Sequence, residues 1–136
     1  MALCCQAVTS LVIKSYYRVY HDAIMLKQKN NDVHSLLTFL VKEIESCGLR
    51  VRPKIYLPQM CGGRFIGFNY VDMVIEDQVA LAIMNKNSMP LQQIQALRIF
   101  LTHGNLSIGL LVSFNHNHPD FRQVENPAIS TIRFMG

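Results

Sequence analysis

The stretch "VDMVIEDQVALAIMNK", residues 71–86, constrains this chain more than any other. Two apolar runs flank the acidic pair Glu76-Asp77, which reads as a tight turn between two strands. The second run, "QVALAIM", is apolar on every side, as required of a strand covered on both faces. A sheet buried on both faces needs helices above and below it, so the rest of the chain must supply them.

Three segments meet that need. Residues 7–27 carry Val8, Val12, Tyr16, Ala23 and Leu26 at helical spacing. After the polar break "KQKNN", Asn31 or Asp32 caps a second helix with Val33, Leu36, Leu37, Leu40 and Ile44 on its apolar face, and Gly48 closes it. Ser88 and Pro90 start a third, with Leu91, Ile94, Leu97 and Leu101 inward and Gly104 at its end. Between these lie "LRVRPKIYL", a half-buried strand whose Pro53 argues for an edge or a bulge, the Gly62-Gly63 turn, and "RFIGFNYVDMVIE". "LSIGLLVSFN" is a further buried strand.

The expected fold is therefore α/β: a mixed four-stranded sheet, made of a three-strand meander and a helix crossover to a fourth strand, flanked by helices. The expected organisation is one domain over residues 1–115 and an irregular C-terminal arm over 116–136, where prolines interrupt the pattern. Pro127, Ala128, Ile129 and Ile132 suit that arm to docking.

The order of these elements, with "GLRV" at 48–51, "VDMVIEDQVAL" at 71–81, "PLQQIQALRIFLTHG" at 90–104 and "IGLLVSFN" at 108–115, resembles the GxxExxY family of the PD-(D/E)XK nuclease superfamily. The resemblance runs from about Leu11 to Asn115 and implies a restriction-endonuclease-like core. It also implies a magnesium site made by an Asp on one strand and a Glu-x-Lys on the next. Two carboxylates would hold the ion against a phosphodiester while the lysine orients the attacking water.

Asp72 matches the first acid, but Ala82 stands ten residues on and Met84 twelve residues on. Neither can ligate a hard cation or move a proton. Lys86 lies two residues beyond the lysine position and faces the same way on a continuing strand. Gln95 matches a helix glutamine that lies beside the family's active site. The Glu-x-x-Tyr signature falls near Val33 and Leu36, both apolar.

The resemblance thus implies a catalytically inactive nuclease fold with no metal and no cofactor, in which Asp72 and Gln95 are vestiges. Asp72 is then expected to bond a backbone N–H or to pair with Arg64 or Lys86. Retained as a structural subunit of a larger assembly, ribonucleoprotein or organellar, such a chain would have protein partners. A nucleic-acid-binding module is the alternative, and a residual nuclease using Asp72, Gln95 and Lys86 is a third reading.

Arg50, Arg52 and Lys54 alternate along one strand, about 6–7 Å apart. That row suits a phosphate backbone, an acidic partner, or a solvated edge that resists aggregation. His116 and His118, beside Asp120 and with His103 in reach if the chain folds back, form a zinc-like H-x-H arrangement, but zinc takes three or four ligands and a solvated loop before Pro119 is the expected reading.

A net charge of +4 permits phosphate contacts without demanding them. Only 16% of residues are charged, which leaves apolar surface for a partner. Four cysteines with no C-x-x-C spacing point to an intracellular, reducing setting. No apolar run reaches the roughly 20 residues of a membrane span. The first acid is Asp22, so a mitochondrial or other organellar address is compatible with the N-terminus.

Overall fold

The computed structural model describes residues 4–25, 33–84, 90–114 and 119–128. Helices α1 (Cys5–Met25) and α2 (Val33–Ser46) precede strands β1 (Val51–Cys61), β2 (Arg64–Ile75) and β3 (Val79–Ile83). Helix α3 (Pro90–Gly104) leads to β4 (Ile108–Ser113) and β5 (Asp120–Glu125).

The strands form one sheet in the order β1-β2-β3-β4-β5. The first three make an antiparallel meander. The crossover through α3 returns β4 parallel to β3, and β5 adds antiparallel to β4. The meander and crossover are as expected.

The sheet has five strands rather than four, and the fifth lies in the segment expected to be irregular. Pro119 and Pro127, which broke the pattern in the sequence, bracket this strand instead of interrupting it. Its inward residues, Phe121 and Val124, are too few to announce a period, so its place is set by pairing with β4.

Helices cover both faces. On one, Val8, Val12 and Tyr16 of α1 and Leu40 and Ile44 of α2 pack on Met73, Ile75, Leu81 and Leu110. On the other, Leu97, Phe100 and Leu101 of α3 pack on Val74, Ala80 and Leu111. Gly109 lets α3 approach closely, since a Cβ there would stand 2.7 Å from Leu97 Cδ2. Gly48 closes α2 in the left-handed conformation, at φ 84°. Glu76 and Asp77 both sit at φ 53° at the centre of the tight turn that the Gln78 N–H closes on the Ile75 carbonyl at 3.0 Å.

Two buried polar groups tie distant segments. The Tyr16 phenol accepts the Asp120 N–H at 2.9 Å and also lies against the Ser113 carbonyl, so α1 is bound to β4 and β5. Burial pushes its pKa up to about 12. Past β5, the buried Asn126 amide donates to the carbonyls of Leu101 at 3.0 Å and Leu106 at 2.9 Å, and its oxygen accepts the Ala128 N–H at 3.0 Å.

Candidate functional site

The β1–β2 ladder changes face at one point. Pairing runs Arg52↔Val74 and Pro53↔Met73, then resumes at Ile55↔Val71. Between them Lys54 stands across from Asp72, at φ 46°. On the chain-terminal side of this step Met73 and Ile75 face α1 and α2, whereas Val71 and Ile55 face α3. A regular strand would put residues 71 and 73 on the same face. The step therefore turns Asp72 out of alternation, into the gap between β2, β3 and α3.

That gap is a cleft of about 180 Å³ lined by Asn69, Asp72, Ala82, Gln93, Ala96 and Leu97, among others. Asp72 Oδ2 accepts the Ile83 N–H at 2.8 Å. Burial raises the pKa of this carboxyl, and the Ile83 N–H and the Lys54 charge offset part of that rise. Asn69 Nδ2 donates to the Ala96 carbonyl at 2.8 Å and ties β2 to α3 at the wall of the cleft.

The fold brings Asp72 and Ala82 to one cleft, at the places where the resemblance would put two carboxylates. Met84 continues the same face of the chain and is buried against the α3 side of the core, its N–H donating to Val112 O at 2.7 Å. Gln95, in contrast, is exposed and does not line the cleft. Gln93 does, because two residues along a helix rotate a side chain by about 200°. Lys86, His116 and His118 lie outside the described residues. His103 is exposed on the last turn of α3, and Asp120 opens β5. Among the described residues no three His, Cys, Asp or Glu side chains are grouped to hold a metal.

The cationic row on β1 is not continuous. Arg50 Nε lies 3.0 Å from Glu76 Oε2, and Arg52 Nη2 lies 2.7 Å from Asp77 Oδ1. The register explains both pairs, because Val51↔Ile75 sets these arginines beside the acidic turn. The Lys54 ammonium turns away, 6.0 Å from the centre of the Tyr70 ring.

Sequence reasoning missed the outer half of the β1–β2 hairpin. Tyr56, Met60, Phe65, Ile66, Phe68 and Tyr70 are each more than half exposed there. The alternation Tyr56, Pro58, Met60 on one strand and Phe68, Tyr70 on the next was the available signal.

A sequence model of the PD-(D/E)XK nuclease superfamily matches residues 6–124. No curated protein matches the chain. The solved structure of SSO0001 is similar in part, with a TM-score of 0.45 and 15% identity over 92% of this chain and 75% of that one.

Proposed function

The chain belongs to the PD-(D/E)XK nuclease superfamily, and within it we propose that this is a non-cleaving member of GxxExxY type, serving as a structural subunit of a larger assembly. One observation carries the reading: Asp72 shares its cleft with Ala82 where a second carboxylate would be needed. Magnesium takes near-octahedral oxygen coordination anchored by carboxylates. Here a single carboxylate faces the cleft, and one of its oxygens already accepts the Ile83 N–H. Among the described residues the other polar residues on the lining are the neutral Asn69, Tyr70 and Gln93, and the Asn69 nitrogen is engaged with Ala96. The residues present do not fit the ion, so no cleavage step runs through it.

The same cleft serves a structural role. Ala82 and Met84 let α3 pack on β3 through apolar contact, and the Asp72 hydrogen bond holds the stepped end of β2 to β3. No helix among the described residues is long and apolar enough to cross a membrane.

The test is cleavage of plasmid, single-stranded DNA and RNA by the purified chain in Mg²⁺ or Mn²⁺, beside Asp72→Ala. Equal, background-level products from both support the reading. Metal-dependent cleavage that Asp72→Ala abolishes overturns it. Pull-down of the native chain with nuclease treatment addresses the assembly: protein partners that persist support a structural subunit, and partners that vanish with nucleic acid oppose it.

A further inference from the structure

We propose that the outer face of the β1–β2 hairpin is a stacking platform for single-stranded nucleic acid, three or four nucleotides long. The inference rests on this face alone and stands whether or not the Asp72 cleft cleaves.

The register sets Tyr56 opposite Tyr70, Pro58 opposite Phe68 and Met60 opposite Phe65, so these six side chains share one face. Their rings form a continuous row. Tyr56 and Tyr70 are 5.6 Å apart, Tyr56 and Phe68 6.2 Å, and Phe65 and Phe68 5.1 Å. The opposite face of the same strands sends Ile55 and Leu57 into the core beside α3, so burial elsewhere does not explain the outward rings. At about half of the 150–250 Å² that a large side chain carries, these residues and Ile66 present roughly 600 Å², the top of the range for the largest apolar patch on a monomer.

Charge selects the occupant. Residues 51–71 contain Arg52, Lys54 and Arg64 and no acid. Arg52 is engaged by Asp77, and Lys54, across from Asp72 with its ammonium 6.0 Å from the centre of the Tyr70 ring, stands at the base of the row with Arg64 at its tip. A cation at each end of a row of rings suits a polyanion whose bases have π-faces to stack. A second copy would set like charges against each other. An added β-strand would meet an edge from which Pro53 and Pro58 remove two N–H donors.

Spacing selects single strands. Successive cross-strand pairs are about 6.7 Å apart, twice the strand rise, and also about twice the 3.4 Å step of duplex DNA. The rings therefore match splayed bases and not stacked pairs. The distance from Lys54 to the tip is roughly 23 Å, enough for three or four such steps.

Fluorescence anisotropy of labelled 12-nucleotide oligodeoxythymidine and oligouridine, in EDTA, tests the platform on the full chain. Binding should occur at low salt and weaken as salt rises, with a 12-base-pair duplex at least about tenfold weaker. Phe68→Ala and Tyr56→Ala should each weaken binding by about tenfold, Phe68→Tyr should retain it, and Arg64→Ala should lower the salt slope by about one. Circular dichroism melts monitor folding. If the alanine variants fail to fold, the Phe68→Tyr and duplex comparisons still decide. Failure to bind either oligomer at low salt overturns the proposal, as does equal binding of duplex or binding indifferent to Phe68→Ala. A Phe68-dependent dimer in sedimentation, or Phe68-dependent binding to phosphatidylserine vesicles, with no oligomer binding, also overturns it.

Discussion

Asp72 Oδ2 accepts the Ile83 N–H at 2.8 Å, joining β2 to β3 where the regular ladder between them has already stopped at Met73↔Leu81. This carboxylate does the work of a missing ladder bond. Asp72→Ala leaves the Ile83 N–H without this acceptor and should cost about 1–3 kcal/mol in urea unfolding.

Asp72→Asn keeps an acceptor without the charge, which gives a pH signature. The carboxyl pKa is raised in the folded protein, so the folded state holds the proton more tightly than the unfolded one. The stabilisation from that proton is fully present below the unfolded pKa and is lost as pH rises through the folded value. Wild type should therefore lose stability relative to Asp72→Asn across that acidic window, and the melting temperatures of the two should converge towards low pH.

Ala82→Glu places a second carboxylate in the cleft that holds Asp72. Mn²⁺ should then raise the melting temperature of the variant and leave wild type unchanged. At a Mn²⁺ concentration 100 times the dissociation constant the gain is about 2.7 kcal/mol, and titration calorimetry checks the stoichiometry.

The buried Asn126 side chain makes three hydrogen bonds, to Leu101 of α3, to Leu106 just past it and to Ala128 beyond β5. Asn126→Ala should cost about 2–4 kcal/mol, read from the denaturation midpoint. Asn126→Asp should not restore stability, because a carboxylate cannot donate to the Leu101 and Leu106 carbonyls.

Gly109→Ala would press a methyl group against the whole Leu97 side-chain end, with contacts of 2.7–3.0 Å. A loss of about 1–3 kcal/mol is expected. A double-mutant cycle with Leu97→Ala should show coupling, the second substitution relieving part of the first.

What the sequence disclosed follows from how local each signal is. The period of α2, the doubly buried β3 and the Gly48 stop are written in neighbouring residues and appear in the fold, whereas on α3 the inward face holds Leu97 and Leu101 but leaves Leu91 of the first turn exposed at 62%. β5 depends on a partner strand, and its own six residues are mostly polar. The step at Lys54 and Asp72 needs a positive φ on a lysine, a conformation with no compositional mark. Gln95 matched by spacing, yet a helix converts an error of two residues into the opposite side, and Gln93 reaches the cleft instead. Arg50 and Arg52 stand as a row in the sequence, whereas their ion-pair partners Glu76 and Asp77 come from the β2–β3 turn, brought alongside by the register.

The bond between Tyr16 and Asp120 spans 104 residues. During synthesis α1 can pack on α2 early, but its Tyr16 phenol meets the Asp120 N–H only after β5 has left the ribosome. A nascent chain stalled before Asp120 would leave the Tyr16 phenol without that N–H, so this latch between α1 and the sheet closes only once β5 is made.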